Sequence, residues 1–397
     1  MKDGNVKKMV VFDSHPVQYR VPVWRAIESA LPGRIHVVYA SDCSVRGHAD
    51  KGFGQTISWD DPMLDGYPHT ILNCENGVPL SGPDSLTGEG VGRCFDELKP
   101  DVVLLTGLNY QYDKVVCREA NKRKIPVWLR CETQDEAMVR SKLKSIARFV
   151  FYRLWYRRIS KAFYIGQLNR KHYLRHGIKA ENLIPAFYST VNRFAALDVE
   201  QKNQMRQEAR ANAGIPAHAL IIGFSGKFIA KKNPGILFSL LQELSPELRS
   251  KLFLYFIGSG ELKEELEKQA GLVKDKYGVS TFFPGFINQS ELARHYLAID
   301  VLVLPSRRRG ETWGLVSNEA MQAGCSVIVS NAVGCYADFS GWERFRVFEE
   351  GNATDLARQV KELANYPRTF DWADQQLKTY SIEAVANVFI KEMKNQQ

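Results

Sequence analysis

What is scarce in this chain narrows its nature first. Cysteine is sparse and odd in number: seven, at Cys43, Cys74, Cys94, Cys117, Cys131, Cys325 and Cys335. No two stand as C-x-x-C, so neither a disulfide framework nor a zinc site is indicated, and a reducing cytoplasm is favoured. No apolar run approaches the roughly 18 residues that a spanning helix needs. The apolar stretch at residues 9–12 is too short for a signal peptide, so any membrane contact is expected to be peripheral. There is no internal repeat, no low-complexity tract, no Walker loop and no D-x-D metal motif. Acidic residues are outnumbered, 44 against 53 Lys and Arg, which leaves a net charge of +9. That balance suits an anionic partner. Nucleic acid is not expected, because no reader motif accompanies the charge.

What is present is an ordinary globular composition in 397 residues, with 45% hydrophobic and 24% charged. That length is enough for two domains. Short β-branched runs at residues 6–12, 35–39, 102–105, 127–129 and 162–165 alternate with helical periodicity, as at 23–30 and 112–123. The alternation restarts with strands at 220–225, 252–257, 281–283, 301–304 and 326–329, and with helices at 235–243 and 261–270. Strand–helix alternation of this kind builds parallel sheets from βαβ units. A polar stretch at 198–213, helical or mobile, lies between the two series, and a last helix is expected at 382–394. The expected organisation is an α/β protein of two Rossmann-like domains with a cleft between them. Residues 1–190 form the first and 191–378 the second, and a C-terminal helix at 379–397 packs back toward the first. Ligands of such sheets sit beyond the carboxyl ends of the strands.

Three strand–loop–helix passages of the second half carry chemistry. In "GFSGKFIAKKNP" a strand ends at Ser225, Gly226 permits a tight turn, and Lys227 and Lys232 precede a helix. Two ammonium groups and a helix N-terminus can neutralise a diphosphate. "FIGSGELKEELEKQA" is a glycine turn off a strand, but it lacks the third glycine of a nicotinamide fingerprint. In "RGETWGLVSNEAMQAG" two glutamates, Glu311 and Glu319, stand eight positions apart. Gly314 allows close backbone approach, Ser317 is expected to cap the helix, and amides near Leu315 and Val316 point toward a phosphate. Glu319, in the first helical turn, can accept hydrogen bonds from a diol such as a ribose.

Together with "FFPGFINQSELARHYLAIDVLVLPS", these passages resemble the retaining family-4 glycosyltransferases of GT-B fold, in order and in spacing, over residues 220–333. The E-x7-E element with its internal "WGL" is the most specific part. The resemblance implies Lys227 and Lys232 at the donor diphosphate and Glu311 next to the donor sugar. It also implies amides of Trp313-Gly314-Leu315-Val316 on sugar and phosphate, Glu319 on the ribose, and Phe286-Ile287 beside the base. Two positions depart from it: Lys227 stands where arginine is usual, and Asn233 where glycine often follows the second lysine. The implied activity is transfer of a sugar from a UDP- or GDP-type nucleotide sugar to an acceptor hydroxyl, with retention and without a metal or further cofactor. The expected setting is bacterial surface glycan or lipid-linked saccharide synthesis, with a glycan or lipid-linked acceptor. A GT-B nucleotide-sugar epimerase and a non-catalytic sugar-nucleotide-binding protein remain alternatives.

The first half speaks more weakly. In "FDSHPVQYRVPVWRAI", which resembles a subset of the family, His15 falls at a strand end and is a candidate catalytic or acceptor group, with Gln18 and Tyr19 on the acceptor side. In "VWLRCETQDEA", Glu132 is the candidate acceptor-orienting acid and Arg130 a phosphate partner. Gly166, Asn169 and Tyr173 are candidates to line the cleft. The segment 140–161 is basic and aromatic. Ala147, Val150, Phe151 and Leu154 recur at helical spacing between Arg148, Arg153, Arg157, Arg158 and Lys161. It can lie on the inner face of an anionic membrane or pack on the sheet.

Overall fold

A computed structural model describes residues 6–50, 55–57, 60–73 and 82–395. Cys74 lies outside them, and the other six cysteines are buried and free. The strands are β1 (Met9–Asp13), β2 (Ile35–Ser41), β3 (His48–Asp50), β4 (Gln55–Ile57), β5 (His69–Asn73), β6 (Val102–Leu105), β7 (Val127–Leu129), β8 (Lys161–Tyr164) and β9 (Leu183–Pro185). The second series is β10 (Leu220–Ser225), β11 (Leu252–Ile257), β12 (Ser280–Gly285), β13 (Val301–Leu304), β14 (Ser326–Ser330) and β15 (Phe345–Phe348).

The first sheet runs β5-β2-β1-β6-β7-β8-β9, and the second runs β12-β11-β10-β13-β14-β15. Every pairing in both is parallel. β3 and β4 form a separate antiparallel pair. The central strands are buried on both faces, which is why β1, β11, β13 and β14 read as unbroken apolar runs rather than alternating ones. Among the described residues, no helix is long and apolar enough to cross a membrane.

The polar stretch between the series is the helix Val199–Asn212, started by a capping box at Asp198 and Gln201. It is pinned rather than loose. Arg206 donates to the carbonyls of Leu297 (2.6 Å) and Ala298 (3.0 Å), the free carbonyls at the end of the helix Gln289–Ala298. Arg206 and Arg210 both pair with Asp300. The terminal helix Ile382–Lys394 lies against the helix Val21–Ala30 of the first domain. Phe389 stacks near Phe163 at 4.5 Å, and Lys161 pairs with Glu392. Lys161 is therefore not a border of the basic segment, as its sequence position had implied; it sits on β8 and serves this docking.

Candidate active site

The carboxyl ends of β10, β11 and β13 face the first domain. The loops after β10 and β11 press together: Gly226 N–H donates to the Ile257 carbonyl (2.9 Å) and Phe228 N–H to that of Ser259 (2.8 Å). A Cβ on Gly258 would lie 1.9 Å from the Gly226 carbonyl oxygen, so only glycine fits. This packing presents Lys227, Lys231 and Lys232 to a cavity of about 410 Å³. Gly226, Phe286, Ile287, Val316 and Glu319 complete it from the second domain. Lys231 is a third cation beyond the expected pair. Asn233 has φ of +52°, left-handed backbone that Asn tolerates better than other side chains. That is the physical reason glycine suits the position, and Asn233 is held there by Arg307 Nη2 at 3.1 Å.

The two glutamates have different surroundings. Glu311 is ion-paired with Lys232 and accepts from Ser306 Oγ at 3.0 Å. Burial pushes its carboxyl up, but the Lys232 ammonium and these hydrogen bonds outweigh it and hold the group below its ordinary range. Glu319 is in no ion pair among the described residues, and Arg193 lowers its pKa only as the least of the causes. Tyr296 OH donates to it at 3.0 Å, Tyr19 bonds it as well, and burial pushes its pKa up to about 7.

The stretch between them is partly core. Trp313 is buried, its Nε1–H donating to Asn318 Oδ1 at 3.0 Å and its carbonyl accepting from Cys335 N–H at 2.9 Å, and it does not line this cavity. Gly314 has φ of +98°, and a Cβ there would sit 2.6 Å from Val333 and 2.7 Å from Leu304. Ser317 does not cap the helix Val316–Gln322. The N-cap is Leu315, without a side-chain bond, and Ser317 lies buried inside the first turn beside Cys335.

The first domain contributes to two places. Gln18 and Tyr19, expected with His15 on the acceptor side, line the lysine-rich cavity beside Glu319. They lie on the segment that leads from Pro16 into the helix Val21–Ala30. His15 and Glu132 line a second cavity of about 370 Å³ with Arg20, Thr106, Thr133 and Thr312. Glu132 accepts from Tyr188 OH and from Thr312 Oγ1 (3.2 Å), so it joins the two domains. Arg20 is tied to the fully buried Asp13 at 2.6 Å. Arg130 sits behind the wall, donating to the carbonyls of Ala186 (3.3 Å) and Phe187 (3.2 Å) with its guanidinium over Tyr188. Its donors hold the inter-domain chain, which is a structural use rather than the expected phosphate contact.

Gly166, Asn169 and Tyr173 do not line either cavity. Asn169 and Tyr173 brace the loop behind Glu132, through Thr133 O (2.6 Å) and Cys131 N (3.2 Å). Gly166 leaves room for Trp313 of the other domain, whose Cζ3 would be 2.2 Å from a Cβ there.

This arrangement has counterparts. Residues 205–379 match the model of the family described as "Glycosyl transferases group 1". Over that segment, somewhat less than half of the chain, it is similar to the group 1 glycosyl transferases. A relative from Streptomyces coelicolor, "D-inositol 3-phosphate glycosyltransferase", is 32% identical over 174 residues, 42% of this chain and 37% of the relative. The chain thus spans little more than a third of the length of that curated relative. Among solved structures, Anabaena Alr3699/HepE in complex with UDP covers 97% of this chain and 99% of its own, at TM-score 0.68 and 15% identity. Another of its structures holds UDP-glucose. WaaG, "a glycosyltransferase involved in lipopolysaccharide biosynthesis", covers 98% and 100% at TM-score 0.61 and 15% identity. At such identities the likeness speaks for the fold, which is GT-B: two parallel α/β domains facing one cleft.

Proposed function

We propose that this chain is a group 1 glycosyl transferase that moves a sugar, with retention, from a UDP- or GDP-type nucleotide sugar to an acceptor hydroxyl. The observation that carries the reading is the single cavity uniting three lysines with Glu319. The lysines suit a diphosphate, and Glu319 can accept from a ribose diol. The aromatic and aliphatic pair Phe286 and Ile287 suits a base. UDP in the Anabaena structures of the same fold supports this.

In the reaction so proposed, the acceptor oxygen bonds to the anomeric carbon as the bond from that carbon to the diphosphate oxygen breaks. The acceptor proton passes to the leaving phosphate on the same face. Negative charge grows on the diphosphate, and Lys227, Lys231 and Lys232 stabilise it most in the transition state. Glu311, held by Lys232 and Ser306, is the acid nearest the sugar. The second cavity, with His15 and Glu132, gives a separate place for an acceptor, which favours transfer over epimerisation of the donor alone. A glycan or lipid-linked acceptor fits the basic surface and a site at the inner face of a membrane.

The test is mass spectrometry of products from a panel of sugar nucleotides with cell-derived lipid acceptors. A glycosylated product whose formation is lost in Lys232→Ala supports the reading. Epimerised donor, or donor binding without any product, would replace it with one of the two alternatives.

A further inference from the structure

The helix Lys142–Tyr156 turns Tyr152 and Tyr156 into the first domain. On the opposite side lie Leu143, Ile146, Val150 and Leu154, respectively 80%, 61%, 50% and 49% exposed. Met138 and Val139, also exposed, extend this apolar patch ahead of the helix. Exposed cations border it on both sides: Lys142 and Arg153 on one, Lys144 on the other. At roughly 100° per residue these borders lie where long stems can reach back along the stripe. A second copy of the chain would bring cationic borders against each other. An anionic bilayer accepts both the apolar stripe and its borders.

The base of the patch is tied to the donor side. Gly310 N–H donates to the Ala137 carbonyl at 2.8 Å, and Met138 bridges Arg309 as an isolated antiparallel pair. Tyr336 OH donates to Glu136 at 3.0 Å. From behind, Asp135 is held by His172 Nδ1 at 3.0 Å and lies 3.6 Å from Arg148 of the exposed helix. Arg140 Nη1 donates to the Asp135 carbonyl at 3.2 Å. Residues 135–140 therefore connect the exposed patch to the loop 309–312, which contains Glu311.

We propose that seating this patch on an anionic bilayer orders the loop 309–312 through residues 135–140 and so tightens nucleotide binding. The inference rests on the reading of the lysine-lined cavity as a nucleotide-sugar site. The experiment combines vesicle sedimentation, UDP titration and amide hydrogen exchange on the full chain, with phosphatidylglycerol or phosphatidylcholine vesicles.

Phosphatidylglycerol vesicles should bind the protein, slow exchange at 309–312 and tighten UDP binding at least about threefold, whereas phosphatidylcholine should do none of these. The exposed double variant Leu143→Asp/Ile146→Asp should lose all three effects and keep the vesicle-free UDP affinity. Tyr336→Phe should keep vesicle binding and show a smaller UDP response. Vesicle binding that leaves both exchange at 309–312 and UDP affinity unchanged would overturn the coupling. A dimer dissolved by the double variant, without vesicle binding, would overturn the bilayer as occupant. Absence of binding of both UDP and GDP under every condition would sink the nucleotide reading, while the exchange measurement would still decide the coupling.

Discussion

Replacing Glu319 by glutamine tests the donor site through a number the structure supplies. Burial raises this carboxyl from 4.5 to about 7, and the hydroxyls of Tyr296 and Tyr19 only partly offset it. The folded protein therefore holds this proton more tightly than the unfolded chain does. Below the unfolded value both states are protonated and the group costs nothing. As pH rises from 4.5 the cost builds, and it is complete above 7. At about 1.4 kcal/mol per pH unit, the full cost is on the order of 3 kcal/mol. The glutamine side chain has the same shape, accepts from Tyr296 through its carbonyl, and carries no charge. Urea unfolding at pH 5 should then differ little between the two proteins. At pH 8 the Glu319→Gln variant should be the more stable by about 2–3 kcal/mol. Equal pH slopes for the two proteins between 5 and 8 would refute the reasoning. The same group links to the ligand. A ribose diol donates to the ionised form, so UDP binding near pH 6.5 should release a proton from most molecules. Calorimetry in buffers of different ionisation enthalpy would show that release in the parent and not in the variant.

Other expectations follow from single contacts. Lys232→Ala leaves Glu311 in a largely buried place without its cation, and chemical denaturation should show a loss of about 2–4 kcal/mol. Adding Glu311→Gln should restore part of that stability, which traces the loss to the unpaired carboxylate. Gly166→Ala puts a methyl against Trp313 across the domains; thermal unfolding should fall by about 1–3 kcal/mol, with a shift in tryptophan fluorescence. Glu132→Gln should raise the KM for acceptor, or lower kcat, while UDP affinity stays unchanged. A changed UDP affinity would place Glu132 on the donor side instead.

The alternation of strand and helix was plain in the amino-acid pattern because the central strands are covered on both faces and must be apolar throughout. The edge strands β5, β9 and β15 were not legible. They are short: the residues of β5 and β9 are only partly buried or exposed, and β15 sets just two buried phenylalanines around Arg346 and Val347, so the pattern there is no stronger than that of a loop. Lys227, Lys232 and Glu319 were legible as donor-site candidates because glycine turns and a helix start mark the loops that carry them. Lys231 was hidden by the same clarity: next to Lys232 in sequence, it read as one basic spot rather than a third cation. Trp313 was legible as part of the motif, but its ring's burial against Gly166 was not, since the two residues are far apart in the chain.

By itself the sequence determined two parallel α/β units, a basic loop set and the E-x7-E pair, because those depend on local periodicity, glycine conformations and charge. Only the tertiary structure decided where several of these residues lie. It carried Gln18 and Tyr19 over to Glu319, set Arg130 behind the wall, and tied Ala137 and Met138 to Arg309 and Gly310. These outcomes depend on contacts between segments far apart in the chain, within one domain for Arg130 and between the two for the others. Such long-range contacts leave no period, cap or turn in the chain, so nothing local announces them.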